Sequence, residues 1–137
     1  GVRPLWRVDL TESRDSLIQA AIDFYQAGET PRAIEVLDQV VDEAPDHKAA
    51  VGLLGCYLLE VGEYSRASKV LEHSVRLSPT SELSSRALFH SLLEEGQHQK
   101  AINELDRYLA VAPSSVLRDE WTQLRAEVER NLLKTEA

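Results

Sequence analysis

Apolar positions along the chain recur at two spacings, four residues within a segment and 34 between segments. Ala33, Leu37 and Val41 stand four apart, Ala67, Leu71 and Val75 repeat that spacing, and Ala101, Leu105 and Leu109 repeat it again. Side chains four apart share one helix face, so each triplet predicts a helix with an apolar stripe. Acids keep the same 34-residue register at Asp38, Glu72 and Asp106. Gly28, Gly62 and Gly96 each follow a helix-like stretch, where glycine takes the left-handed conformation that closes a helix without a Cβ clash. Pro45, Pro79 and Pro113 each follow the next stretch and stop it, because proline lacks an N–H and restricts its predecessor. The alanine column suits a place where one helix presses closely on another. Each unit therefore reads helix, Gly turn, helix, Pro turn, over residues 14–47, 48–81 and 82–115.

Helix starts carry signals of their own. Thr30 followed by Pro31 reads as an N-cap with proline at the first helical position, and Asp46, Ser65, Ser81 and Ser115 stand where other helices should begin. After residue 115 the Gly, Ala and Pro columns do not return. Leu117, Trp121, Leu124, Val128 and Leu132 keep helical spacing, which predicts one amphipathic helix over 116–133 within a C-terminal segment 116–137. Such a helix would cover the last apolar face of the repeats. Residues 1–13 read as an extension, with Val2, Leu5, Trp6, Val8 and Leu10 apolar around Pro4. This extension is either lead-in chain packed on the first unit or a ragged end.

The pattern resembles the tetratricopeptide repeat family over residues 14–115. The middle unit carries it best, through Leu54-Gly55, Leu58, Gly62, Tyr64, Ala67, Leu71 and Pro79. The outer units depart from it, with Ala20-Ala21 and Leu88-Phe89 at the Leu-Gly pair and Thr30 and His98 at the tyrosine. The pentatricopeptide family, which reads RNA, is disfavoured by its 35-residue period and by the acidic charge here. The resemblance implies an all-α, right-handed superhelical stack of three antiparallel helical hairpins plus a C-terminal capping helix. It also implies that the first helix of each hairpin lines a concave groove that takes a peptide segment. The groove-facing positions would be Asp15, Ile18, Gln19, Ile22 and Gln26, then Ala49, Gly52, Leu53, Cys56 and Glu60, then Leu83, Arg86, Ala87, His90 and Glu94. In this family a clamp of Lys, Asn and Arg often grips a chaperone tail's terminal carboxylate. The matching places here hold Ile18, Ile22, Leu53, Leu83 and Ala87, none of which donates a side-chain hydrogen bond. The groove is thus expected to have an apolar floor and charges at its rim, and to bind an apolar or amphipathic protein segment.

Composition narrows the classes further. The chain has 137 residues, 43% apolar and 28% charged, as in an ordinary globular domain. The formal charge of −8 disfavours a nucleic-acid partner. That charge is uneven: unit one holds eight acidic and two basic residues, with Glu35, Asp38, Asp42 and Glu43 on its second helix. The helix reads as a solvated acidic face, or else as a docking patch for a basic partner. No apolar run approaches the roughly 18 residues of a membrane span, so no membrane insertion is expected. One cysteine forms no internal disulfide, and with no targeting segment it favours the cytoplasm, leaving a periplasmic or secreted setting open. The absence of methionine reads as a processed product or a segment of something longer.

Candidate chemistry is sparse. The sequence holds no Gly-rich phosphate loop, paired-cysteine zinc motif, His-Glu-x-x-His or Gly-x-Ser-x-Gly elbow. His47, His73 and His98 read as solvated residues. Cys56 and His90 stand 34 apart with Glu60 and Glu94 one turn on, which would place a thiol, an imidazole and two carboxylates on adjacent helices. Incidental groove lining is the reading preferred over a metal site or a thiolate–imidazole pair. The expectation is therefore an interaction module with no catalytic residues, cofactor or metal. A self-assembly domain joined through Trp6 or the Trp121 face stands as the alternative, as does a regulatory segment of a larger protein.

Overall fold

A computed structural model describes the backbone of residues 10–111 and 115–136 and the side chains of 14–111 and 118–134. Every regular element among these residues is a helix: α1 (Leu10–Gln26), α2 (Thr30–Glu43), α3 (Lys48–Glu60), α4 (Tyr64–Leu77), α5 (Glu82–Glu94), α6 (His98–Val111) and α7 (Ser115–Glu136). The first six form hairpins α1/α2, α3/α4 and α5/α6, each second helix also packs on the next first helix, and α7 packs on α6. This is the all-α stack of helical hairpins that the resemblance implies, with the C-terminal helix that the spacing of Leu117 to Leu132 predicts. Helix α1 begins at Leu10, inside the segment read as an extension, and Val2, Leu5, Trp6 and Val8 lie outside the described residues.

The glycine turns explain the regularity. Gly28, Gly62 and Gly96 have φ of 80°, 83° and 76°, a region costly for a residue with a Cβ. In the first turn the Gly28 amide donates to Tyr25 O at 3.0 Å and the Glu29 amide to Phe24 O at 2.8 Å. This pair of bonds is a Schellman closure, and it recurs at Gly62/Glu63 and Gly96/Gln97. The residue after each glycine also opens the next helix, since Glu29, Glu63 and Gln97 carbonyls accept from the Ala33, Ala67 and Ala101 amides.

This double use corrects two expected helix starts, and a third moves by one residue at the proline turn. Glu29 is the N-cap of α2, without a side-chain cap bond, and Pro31 falls one place further in than expected. Glu63, not Ser65, caps α4. At α3 the cap is His47, whose Nδ1 accepts from the Ala50 amide at 3.3 Å, while Asp46 turns to His73. Ser81 caps α5 as expected, accepting from the Ser84 amide at 3.2 Å.

Packing follows the small residues. Ala33, Ala67 and Ala101 are fully buried, as are Leu37, Leu71 and Leu105 one turn on. Gly55 takes this furthest: a Cβ there would stand 2.5 Å from Leu71 Cδ2 and 2.6 Å from Leu71 Cγ. The position equivalent to Gly55 in α5 holds Phe89, buried at 1% exposure, so α6 cannot press on α5 as α4 presses on α3. The α3/α4 contact is accordingly more extensive than the α5/α6 contact. At the C-terminal end Trp121 is buried at 1%, its ring 4.4 Å from that of Tyr108, and Val128 at 5% continues the stripe. The apolar stripe of α7 thus covers the third hairpin.

Two stability contrasts follow. Gly55→Ala should lower stability by about 1–3 kcal/mol through overpacking against the immobile Leu71. Gly52→Ala, with nothing nearer than Ser74 Oγ at 3.6 Å, should instead gain about 0.5–1 kcal/mol of helix propensity. Trp121→Ala should cost about 3–5 kcal/mol by uncovering the third hairpin. Urea unfolding midpoints at unchanged slope measure all three.

Candidate peptide-binding groove

The first helices form one face of the stack. Helices α3 and α5 touch directly, and α1 meets α3 through Tyr25 and Tyr57, whose rings stack at 4.4 Å and 9°. Tyr25 also hydrogen-bonds Glu60, and that carboxylate raises its phenol pKa. These two tyrosines stand 32 apart, off the 34-residue register, so the column alignment passes over them.

The groove-facing residues divide by burial. Ile18 (9% exposed) and Ala87 (7%) belong to the core, which narrows the expected floor. Ile22, Leu53 and Cys56 are half-buried and pack against that core while showing one edge outward. Gly52 is half-buried, and Asp15, Gln19, Gln26, Ala49, Glu60, His90 and Glu94 are exposed. Leu83 stands out at 66% exposure, a large apolar side chain in the first turn of α5. The apolar side chains left at least half-open at these positions are Leu83, Ala49, Leu53, Cys56 and Ile22, with carboxylates on the last turns of α3 and α5.

Arg86 is held in place on all sides. It donates to Glu82 at 2.6 Å, lies 3.7 Å from Glu120 of α7, and sets its guanidinium 5.6 Å from the Trp121 ring centre. The clamp positions discussed above thus present only apolar groups, and the nearby cation is neutralised by two carboxylates. Trp121 and Glu120 were not among the groove candidates, because α7 falls outside the 34-residue columns that supplied them.

The remaining chemistry-bearing residues do not converge. Among the described residues no three of His, Cys, Asp and Glu form a group fit for a metal ion. Cys56 is half-buried, and burial pushes its thiol pKa up, away from the thiolate a nucleophile needs. His90 is exposed and its ring leans on Phe89 at 5.3 Å. His73 and His98 are tied to local acceptors, the Pro45 and Gly96 carbonyls, each at 3.0 Å. On the second helix of unit one, Glu35, Asp42 and Glu43 are exposed, whereas Asp38 pairs with Arg66 of α4.

Residues 24–85 match the sequence model of the tetratricopeptide repeat. No curated protein sequence matches the chain. Among solved structures, the Yersinia enterocolitica type III secretion chaperone SycD, in complex with a peptide of the translocator YopD, superposes with a TM-score of 0.75 at 14% identity. That match covers 92% of this chain and 96% of the chaperone. The first such repeat domain of Spaghetti (RPAP3), bound to the HSP90 peptide SRMEEVD, gives 0.73 at 14% identity over 92% and 99% of the two chains. An O-GlcNAc transferase of Thermobaculum terrenum gives 0.66 at 25% identity over 80% of this chain. The chain spans only 21% of that enzyme.

The buried thiol has a measurable consequence. Iodoacetamide should alkylate Cys56 more slowly than a free thiol at pH 8, with an apparent pKa above the ordinary value of about 8.5. The folded chain keeps this proton where the unfolded chain releases it. The resulting stability is therefore full below about pH 8.5 and lost as the pH rises through the folded value. Tyr57, also raised by burial, acts in the same sense further up the scale. Urea midpoints for the native chain and Cys56→Ser across pH 7–10 would show whether the difference closes with pH.

Proposed function

From a chain that carries tetratricopeptide repeats, we propose an interaction module whose first-helix face takes an apolar or amphipathic segment of a partner protein. The observation that carries the reading is Leu83, 66% exposed on α5, with Leu53 and Cys56 half-buried on the neighbouring first helix. An apolar strip of this kind gains free energy when a partner side chain removes it from water, about 25 cal/mol per Å². The two peptide complexes of the same fold support the reading, since in each such a stack holds a peptide. Their own ligands do not transfer at 14% identity. Ile18, Ile22, Leu53, Leu83 and Ala87 supply no donors for a terminal carboxylate, so the ligand is held by apolar area rather than by its end. Gln26, Glu60 and Glu94 stand on the last turns of the three first helices, where they would meet polar groups at one edge of that segment.

The role is binding, with no chemistry assigned to the chain. Among the described residues no helix is long and apolar enough to cross a membrane. The segment could also come from a second copy of the chain, and mass against concentration separates the two. Light scattering at two concentrations tenfold apart should give a constant mass near 15.4 kDa. A mass that rises with concentration would put self-assembly in place of partner capture. Peptides selected from a random library on the native chain should then bind Leu83→Asp about tenfold or more weakly, the loss expected of an interface anchor. Circular dichroism should be unchanged, since Leu83 is outside the core. A selected pool in which no peptide is weakened by Leu83→Asp would remove the groove reading.

A further inference from the structure

The opposite face of the stack carries a cleft of about 310 Å³ between α4, α5 and α6. Val75, Leu88 and Leu92 line its base, and Glu72, Arg76, Lys100 and Glu104 stand among its walls. Its size is at the lower end for ligand pockets, about 300–1,000 Å³.

Comparison with the preceding seam explains why the cleft exists. There, between α2, α3 and α4, the matching place to Glu104 is Val70, which packs against the core with Val41. Arg66 and Asp38 then bridge the outside. In the second seam the filler is gone. Glu104 is 6% exposed and turns its carboxylate to the Ser85 hydroxyl and to Arg107, which donates from Nε and a terminal nitrogen at 2.7 Å each. Arg107 is further fixed on Pro79 O at 2.8 Å. Phe89, where the middle hairpin has Gly55, bars α6 from closing the gap. The bridge is missing as well, since no ion pair among the described residues joins Glu72 to Lys100, the equivalents of Asp38 and Arg66.

The rim has also become more basic, although Asn103 stands where the first seam has Lys69. Arg76 stands where the first seam has Asp42. Arg76 and Lys100 are both exposed and neither is in an ion pair among the described residues. Arg107 is neutralised by Glu104, which leaves two free cations against the single carboxylate of Glu72. We infer that this outer cleft is a second binding surface, which seats one large apolar side chain of an acidic protein segment while Arg76 and Lys100 meet its carboxylates. An apolar anchor in a pocket with charges at its rim is a common design for a weak, steerable interface.

The test pans a random heptapeptide library on the full chain carrying Leu83→Asp, so that peptides of the inner face are selected against. The enriched sequences should hold Leu or Phe beside Asp or Glu. In fluorescence polarisation the most enriched peptide should bind the chain carrying Arg76→Glu and Lys100→Glu about tenfold or more weakly, and should weaken with added salt. Both cations are exposed, so circular dichroism should be unchanged, and Arg76→Gln with Lys100→Gln should give an intermediate loss. Failure to enrich any peptide, enrichment without acids, or equal binding by the charge-reversed chain would each overturn the inference. None of these outcomes bears on the inner face, which is read from the peptides lost between the native chain and Leu83→Asp.

Discussion

The stack depends on how closely two helices can approach at the middle of each hairpin. Hydrophobic burial rewards that approach only while no side chain stands in the way, and interiors packed to crystal density leave little slack. Ala33, Ala67 and Ala101 are therefore small for the same reason in every unit, and each is wholly buried. Gly55 extends the rule to the facing helix, where a single Cβ would strike Leu71. Once this crossing is set, the leucines one turn on interlock and the glycine turns need only return the chain at a fixed angle. The three Schellman closures supply that return with the same two hydrogen bonds each time.

Where the rule is relaxed, the surface changes. Phe89 and Glu104 replace a glycine and a valine of the middle hairpin, one too large for close approach and the other too polar to fill an apolar seam. Burying a carboxylate is costly unless it is paired and hydrogen-bonded, and Glu104 is held by Ser85 and Arg107 together. That network ties α5, α6 and the Pro79 turn to one another. The same substitutions leave the outer cleft open, so one pair of sequence changes accounts both for a polar staple and for a cavity.

Much of this was legible in the residues. The 34-residue columns yield the helix order, the glycine conformation and the buried alanines because each is a local consequence of one residue type at one place. The C-terminal helix was legible from the spacing of Leu117, Trp121, Leu124 and Val128 alone. Helix starts were less so: Thr30 and Ser65 are good caps by type, but the Schellman turns bring the backbone into helix one or two residues earlier. The groove was only half visible. The family resemblance places Ile18 and Ala87 on the inner face, and only the packing of neighbouring helices shows that both are buried. The Arg86 cluster could not be read at all, since it joins α5 to a helix that has left the repeat register. The outer cleft has a sequence signal in hindsight, the coincidence of Phe89 and Glu104 in columns otherwise held by small or apolar residues.

The two faces differ in the force available for binding. On the inner face Arg86 is spent on Glu82 and Glu120, and the last turns of α3 and α5 carry the carboxylates of Glu60 and Glu94. Binding on that face, as proposed above, would draw on buried area, which salt screens little. On the outer face the apolar base is small, and much of the attraction would come from Arg76 and Lys100 in open solvent, where ionic strength acts directly. A partner that touched both faces would meet one contact that sets residence and another that sets the rate of encounter. The sequence separates these roles by placing Arg76 and Lys100, without ion pairs among the described residues, at a seam that the third unit does not close.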